Sequence, residues 1–484
     1  MSLGCDKNTV DSERLLAALV GHGAERVTDL ETADVILVNT CGFIDAAKEE
    51  SIETLLEAGR LKREGRCRSV VAVGCMVERY RDELAPVLPE VDLLIGLSDL
   101  DRLVPELVAR GLLSPEGDVH PGERLALGSR HVSYLKVSEG CDHGCAFCAI
   151  PAWRGRHRSF DLDRLVAEAQ RLEAQGAVEV NLVAQDLAHY GRELRDGTDI
   201  STLLRALLAE TSIPWFRVLY IYSAGLREPL VELMATESRL LPYIDMPIQH
   251  ASDTVLERMR RPERSGTLRR RIGGLRDAID DLTLRTTVLV GFPGETDEEF
   301  RELVDFLDEV QFDRLGAFSF SPQDGTRAAA MEGAFVHEDV ARERLEEVLD
   351  LQRAVSADRM EAEVGRTRLA IVDRRAEEHD PVITDLYGPQ ERAGVRTGAV
   401  AIGRVAGQAD DVDGVTVLWG AGSEPPGTLI EVAIDRASDF DLGGRIERVA
   451  RSSAAAAPAP RAESRAGSRG LPVLGLGLET ARGR

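Results

Sequence analysis

The stretch EGCDHGCAFCAIP places Cys141, Cys145 and Cys148 within eight residues. Clustered thiols in a chain without a secretion signal favour metal ligation over disulfides. Zinc needs a fourth ligand, and His143 inside the loop is a candidate, although structural zinc sites usually pair a short loop with a second, distant one. An iron–sulfur cube has four irons to ligate, so three thiolates would leave one iron open for a small molecule.

Three other cysteines are far apart in the sequence but occupy similar places. Cys5, Cys41 and Cys75 each follow the C-terminal end of a predicted strand or its remnant. Ligands bind at this edge of an open parallel sheet, where neighbouring strand ends lie close together. The three thiols are therefore expected to converge; the alternative is three cysteines buried in apolar turns. Cys67 precedes a strand and is interpreted as a small apolar filler.

The predicted fold class is α/β, and its first part is an N-terminal open parallel α/β domain at residues 1–115. Short apolar runs alternate there with amphipathic helices, and strands are predicted at 35–39, 69–73 and 91–95. A strand of about five residues is expected before Gly4. Only three residues precede Gly4, so we expect part of that strand to be missing.

Six strand–helix units at residues 128–365 predict a partial (β/α)6 barrel, whose chemistry takes place at the C-terminal mouth. The loop with Cys141 follows the first strand and reaches that mouth. Short alternating segments at 367–437 predict a small β-barrel. The Ala-, Pro-, Ser- and Arg-rich residues 450–484 cannot bury a core and are predicted to be disordered.

Composition limits the partners of this 484-residue chain. Its formal net charge of −24 argues against general nucleic-acid binding, because a phosphate backbone would be repelled. Four lysines stand against 55 arginines, a bias that makes arginine counts uninformative about RNA. No apolar run approaches the ~20 residues of a membrane span. We therefore expect a cytoplasmic protein without membrane association.

The CxxxCxxC spacing, with Phe147 before the last cysteine and placed at a barrel mouth, resembles the radical S-adenosylmethionine superfamily. The resemblance implies a 4Fe-4S cluster on Cys141, Cys145 and Cys148, with S-adenosyl-L-methionine bound to the open iron near Phe147. Reductive cleavage of that cofactor would give a 5′-deoxyadenosyl radical. The protein would orient this radical and keep water from it.

Further segments are similar to the methylthiotransferases over about residues 2 to 440. They are SLGCDKNTVDSE, NTCGFIDAAKEESIETLLE, GCMVERY, VAQDLAHYG, DMPIQHASDTVLERMRR, VGFPGETDEEF and SPQDGT. The resemblance implies a second 4Fe-4S cluster on Cys5, Cys41 and Cys75, which presents sulfur. A second S-adenosyl-L-methionine would supply the methyl group.

Beyond the cysteines, the resemblance implies cofactor-binding residues. GFPGE, from Gly291 through Pro293 to Glu295, ends the fifth barrel strand and lies beside the cofactor in this superfamily; the alternative is a plain turn before a helix. Gln185 and Asp186 end the second strand and are predicted to bind the cofactor or the substrate, or else to cap the next loop. No proton-handling residue follows from the sequence.

Two arginines after the cluster loop, Arg154 and Arg156, are interpreted as binding a carboxylate, the alternative being a surface ion pair.

Two substrates divide the family: an adenosine of transfer RNA, and the β-carbon of an aspartate in the twelfth small-subunit ribosomal protein. The motifs resemble the ribosomal-protein branch, since the transfer-RNA branch typically carries Ala-Gln where this chain has Met76, Val77 and Glu78. The terminal β-barrel resembles a TRAM module, often used on RNA. Residues 367–436 hold twelve acidic residues and seven arginines, a net charge of −5. An acidic surface suits a basic ribosomal protein.

We therefore hypothesise that the terminal β-barrel docks the basic ribosomal protein, and that reversing the charge of Asp410, Asp411 and Asp413 would weaken this docking. We also expect a monomer that takes electrons from a donor such as flavodoxin or ferredoxin. A third hypothesis is a nonenzymatic iron–sulfur scaffold or redox sensor with an RNA-binding tail, which would release no 5′-deoxyadenosine from S-adenosylmethionine under reducing conditions.

Overall fold

The computed structural model describes residues 1–118, 123–388 and 398–452. A three-stranded parallel sheet, a six-stranded parallel sheet and a closed five-stranded barrel form its three parts. The predicted α/β class with these three architectures is confirmed. None of the helices in these ranges is both long and apolar enough to cross a membrane.

The N-terminal sheet pairs its strands in parallel in chain order. Strands β1 to β3 span Val35–Thr40, Ser69–Gly74 and Leu93–Ile95. Helices α1 to α4 span Asp6–Gly21, Asp45–Glu64, Cys75–Val87 and Leu103–Ala109. Every residue of β2 is buried, as expected for a central parallel strand that is covered on both faces. Ser2 forms an isolated parallel bridge with Asn39 of β1, so the first residues run alongside the sheet.

The central sheet holds six parallel strands in consecutive order and stays open between its first and last strand, which makes it a partial barrel. Its strands are β4 (Val132–Lys136), β7 (Glu179–Val183), β8 (Trp215–Val218), β9 (Leu240–Asp245), β10 (Thr283–Val290) and β11 (Arg314–Ser319). A small hairpin after β4 consists of β5 (Ser138–Glu139) and β6 (Arg158–Ser159). Helices α5 to α12 span Ile150–Trp153, Leu162–Ala174, Ile200–Glu210, Glu228–Thr236, Asp253–Arg258, Ser265–Ala278, Asp297–Val310 and Glu338–Glu361.

The start of α11 is fixed by a capping box. Thr296 accepts a hydrogen bond from the backbone N–H of Glu299, and the Glu299 carboxylate accepts one from the backbone N–H of Thr296. Arg258 also donates to Glu299 at 2.6 Å. Although burial acts in the opposite direction, these donors lower the pKa of Glu299 from 4.5 to about 2. The box thereby anchors the turn that precedes α11.

This lowered pKa gives a pH-dependent prediction for Glu299→Gln. A depressed carboxyl pKa stabilises the fold above pH 4.5, and that contribution is lost as the pH falls towards about 2. The variant is expected to lose about 2 kcal/mol at neutral pH, less than the full shift implies, because solvent screens this partly exposed carboxylate. Its deficit, measured by urea unfolding, should stay constant down to about pH 5 and shrink below that. Glu298→Gln, whose side chain is exposed, serves as the control; a deficit independent of pH would contradict the prediction.

The C-terminal part is a closed barrel in the order β12-β13-β14-β16-β15. Its elements are β12 (Thr367–Arg375), α13 (Pro381–Tyr387), β13 (Val400–Val405), β14 (Thr416–Trp419), β15 (Leu429–Ala437) and β16 (Leu442–Arg451). The predicted end of this barrel at residue 437 is too early, because β16 closes it. Most of β16 is exposed and carries charged residues, so it lacks the alternation that marks a strand. Residues 450 and 451 of the predicted tail belong to β16, and 453–484 lie outside the described residues.

The loop between β13 and β14 packs into the partial barrel. Arg217 of β8 donates to the carbonyl oxygens of Ala406 at 2.8 Å and Gln408 at 3.1 Å. Glu179, the first residue of β7, pairs with Arg217 at 2.9 Å and with Arg404 of β13 at 2.8 Å. We call Glu179, Arg217 and Arg404 the Arg217 network. Its side chains are at most 2% exposed, so the two barrels share a buried ionic contact.

This loop contradicts the expected surface position of Asp413, one of the three aspartates of the docking hypothesis. The Asp413 side chain is 3% exposed, and its carboxylate accepts hydrogen bonds from Tyr243 and from the backbone of Ala409, both at 2.8 Å. Asp410 lies 3.5 Å from Arg404. Only Asp411 of the three is classed as exposed. Net charge could not reveal that two of these acids face inward, towards buried arginines.

Candidate active site

The N-terminal cysteines meet at one edge of the first sheet. Thr40 and Gly74, the last residues of β1 and β2, pair in register, so Cys41 and Cys75 leave the sheet side by side. Cys5 follows the first residues, of which Ser2 bridges to Asn39, and Cys5 is itself the N-cap residue of α1. Gly74 has a φ of +102°, and a Cβ there would lie 2.6 Å from the carbonyl oxygen of Thr40, so only glycine allows this approach.

The thiols of this trio are close enough to affect one another's pKa. Burial raises the pKa of Cys41 to about 12, and the negative charge of Cys5 and Cys75 adds to this. Burial also raises the pKa of Cys75, while the nearby Arg154 guanidinium acts against it. Thiolates here need a cationic partner or a metal to be stable, since desolvation opposes their charge.

The second trio lies in the loop after β5. Burial raises the pKa of Cys141 to about 11 and that of Cys148 to about 12, and Cys145 contributes to both shifts. Phe147 is partly buried against an apolar cluster that includes Phe292. The loop therefore holds three thiols near enough to one another that Cys145 raises the pKa of both others.

His143 is not placed as a fourth ligand. Its Nε2 lies 2.7 Å from the Asp186 carboxylate, and its ring stacks on Tyr222 at 4.2 Å and on His189 at 4.4 Å. Among the described residues, it groups with Asp186 and His189, and with no cysteine, as possible ligands within 4.8 Å of one another. The zinc alternative thus loses its candidate ligand, and three thiols without a fourth protein donor suit a cube with an open iron.

One buried side chain connects the two cysteine regions. Arg154, just after α5, donates to Cys75 Sγ at 3.3 Å, to Asn8 at 2.6 Å and to Glu139 at 2.8 Å. It also lies 3.4 Å from Asp11. Both acids belong to the protein, so nothing here supports the predicted binding of a ligand's carboxylate by Arg154. Its ion pairs are also buried, since the Arg154 side chain is 4% exposed. Arg156 is exposed.

Sequence reasoning missed most of the polar residues around Arg154. Lys136 at the end of β4 pairs with Glu139 at 2.7 Å and closely with Asp11. Lys136 and Arg154 lower the pKa of Glu139 to about 2, although burial acts in the opposite direction. The available signal was the helical spacing of Asn8, Asp11 and Ser12, which are polar yet buried on one side of α1.

The GFPGE stretch forms a tight loop after β10. The Glu295 carboxylate accepts hydrogen bonds from the backbone N–H groups of Gly291 and Phe292 at 3.2 and 3.3 Å. Arg344 pairs with Glu295 at 2.8 Å. Pro293 is buried beside them. Glu295 is fully buried, so its contacts are with the protein and it acts by shaping the loop. Gly291 has a φ of +70°, which suits glycine alone.

Gln185 and Asp186 follow β7 at the same mouth. Asp186 accepts hydrogen bonds from the backbone N–H groups of Ala188 at 2.9 Å and Tyr222 at 3.2 Å, in addition to its contact with His143. It therefore fixes the cluster loop to the strand ends. Gln185 donates to Glu139 at 3.3 Å, whereas its buried Oε1 has no partner among the described residues and is open to a donor.

Two family models match separate parts of the chain. A model described as "Uncharacterized protein family UPF0004" matches residues 1–96, and a model of the Radical SAM superfamily matches residues 135–307. Among solved structures, the radical S-adenosylmethionine methyltransferase TsrM from Kitasatospora setae aligns over 59% of this chain and 62% of its own, with 16% identity and a TM-score of 0.45.

Two curated relatives match almost the whole chain. "Ribosomal protein uS12 methylthiotransferase RimO" of Anaeromyxobacter sp. (strain Fw109-5) is 42% identical over 98% of each chain. The protein of the same name from Desulforudis audaxviator (strain MP104C) is 42% identical over 92% of this chain and 96% of its own. The chain therefore belongs to the family of ribosomal protein uS12 methylthiotransferases, within the radical S-adenosylmethionine superfamily.

Proposed function

We propose that this chain methylthiolates the β-carbon of one aspartate in uS12, the twelfth protein of the small ribosomal subunit. The similarity at 42% identity over 98% of the chain is the observation that carries this proposal. The net charge of −24 supports it, because a protein that binds ribosomal RNA is basic and would be attracted. No observation favours transfer RNA as the substrate.

In this proposal, Cys141, Cys145 and Cys148 hold one 4Fe-4S cluster and Cys5, Cys41 and Cys75 hold the other. Three thiols without a fourth protein donor at the barrel loop support the assignment. When bound, the clusters and two molecules of S-adenosyl-L-methionine supply hydrogen abstraction, a sulfur atom and a methyl group.

The chain's own residues would orient the reactants and exclude water. Gln185 offers its free amide oxygen at the mouth, beside the GFPGE loop that Glu295 and Arg344 hold in shape. Arg154 donates to Cys75 and so offsets negative charge on the N-terminal trio. The two sites are joined through buried side chains, and reactive groups between them would be shielded from solvent.

We further propose that the enzyme works in the cytoplasm as a monomer and receives electrons from a protein such as flavodoxin or ferredoxin. The absence of a described membrane-spanning helix is compatible with that location.

Mass spectrometry of uS12 from cells with and without this gene tests the proposal. An aspartyl peptide of uS12 is expected to carry the mass of one methylthio group only when the gene is present. If uS12 is unchanged and a transfer-RNA adenosine loses the group instead, the proposed substrate is wrong. Without 5′-deoxyadenosine formation by the reduced protein, an enzymatic role would be refuted altogether.

A further inference from the structure

Lys7 differs from the other three lysines of the chain. Lys48, Lys62 and Lys136 pair with carboxylates at 2.7, 2.5 and 2.7 Å. Lys7 is only 7% exposed, yet it forms no ion pair or hydrogen bond with any residue that the structure describes. Its Nζ lies 3.2 Å from the centroid of the Tyr220 ring, a cation–π contact. A buried ammonium without an anion is costly, and an aromatic face offsets only part of that cost.

The carboxylates near Lys7 are already engaged. Asp6 accepts a hydrogen bond from the Tyr220 hydroxyl at 3.0 Å. Asp245 pairs with Arg285 at 2.8 Å and accepts from the backbone N–H of Tyr220. Neither acid lies within ion-pair distance of Lys7. The ammonium therefore retains the capacity to bind an anion that is not part of the described chain.

Lys7 lies where a substrate side chain could reach it. It is the second residue of α1 and lies two residues after Cys5, which is exposed, so the N-terminal trio is accessible at this point. Tyr220, whose ring contacts the ammonium, lies two residues after the end of β8 in the partial barrel. Lys7 thus lies between the N-terminal trio and the barrel mouth, where a residue that reacts with both must pass.

We propose that Lys7 binds the side-chain carboxylate of the target aspartate. This inference rests on the proposed function. The β-carbon of an aspartate is bonded directly to its carboxylate carbon, so fixing the carboxylate also fixes the carbon that reacts. An adenine base offers no carboxylate, so Lys7 also selects against the transfer-RNA substrate. Other buried cations of this region, namely Lys136, Arg154 and Arg285, are already paired within the protein.

Binding, measured without turnover, tests the role of Lys7. Fluorescence anisotropy measures the affinity of the anaerobically reconstituted holoenzyme for two labelled uS12 peptides. One peptide carries the target aspartate, and the other carries asparagine in its place. The native enzyme is expected to prefer the aspartyl peptide about tenfold to hundredfold, the usual range for a hydrogen bond to a charged group. Lys7→Met should abolish this preference, and Lys7→Arg should restore part of it.

Controls separate this role from a structural one. Lys62→Met removes a lysine that pairs with Asp92 and should keep the full preference. The iron content of each Lys7 variant is measured to establish that both cluster sites are intact. Lys7→Gln, which keeps a polar end, is the second variant. If either uncharged variant holds its full iron content and still prefers the aspartyl peptide, the role of Lys7 is refuted. A native enzyme that binds neither peptide would instead refute the proposed function.

Discussion

Replacing Cys41 with alanine is expected to abolish methylthiolation of uS12 while reductive cleavage of S-adenosyl-L-methionine continues. Replacing Cys145 with alanine should abolish both reactions. The two cysteines belong to separate trios, and each trio in the proposed function holds its own cluster. Loss of one thiolate from a three-cysteine site leaves the cube with too few protein ligands.

Two measurements on each variant check this result. The iron content should fall from about eight to about four atoms per chain, and liquid chromatography should detect 5′-deoxyadenosine for Cys41→Ala but not for Cys145→Ala. Cys67→Ala is the matched control, because Cys67 is buried outside both trios and donates to the carbonyl oxygen of Ser69 at 3.3 Å. Continued methylthiolation by Cys41→Ala would show that the N-terminal trio has no part in sulfur transfer.

Arg217→Met is expected to cost about 3 kcal/mol of unfolding free energy, the lower end of the range for breaking a buried ion pair. The Glu179 side chain is fully buried, so loss of Arg217 removes one of its two cations. The substitution also leaves the carbonyl oxygens of Ala406 and Gln408 without that donor. Arg404 still faces Glu179, which keeps the cost from rising further.

The urea-unfolding midpoint, followed by tryptophan fluorescence, measures this loss. Trp215 at the start of β8 is buried close to the substituted site and should report its unfolding. Arg448→Met breaks an exposed pair with Glu431 and is expected to change the midpoint little, because solvent screens such a pair. Equal effects of the two substitutions would mean that the Arg217 network contributes no more than a surface pair.

The order of strands and helices was predictable because the spacing of apolar residues along the sequence differs between buried strands and amphipathic helices. The buried runs before Cys41 and Cys75 read as parallel strands, and parallel strands bring their C-terminal ends to one edge. The convergence of the N-terminal trio follows from that rule and needs no side-chain detail. In the same way, the position of the Cys141 loop follows from its place after the first barrel strand.

The side-chain contacts were not predictable, because they join segments far apart in the sequence. Asp11 of α1 binds Lys136, which is 125 residues away. Asp413 counted as surface charge although it is buried against Tyr243. Sequence patterns report burial of apolar residues well, but they do not reveal which charged residue has a buried partner of opposite sign.

The contact between the β13–β14 loop and the partial barrel also sets how the C-terminal barrel can serve catalysis. The C-terminal barrel is attached to the partial barrel both by the chain that follows α12 and by the hydrogen bonds of Arg217. Its orientation relative to the partial barrel is therefore fixed. A macromolecule bound to the outer surface of the C-terminal barrel would therefore approach the mouth of the partial barrel in one orientation and at one distance. Inserting residues between α12 and β12 would thus not widen the range of substrates that reach the cysteines.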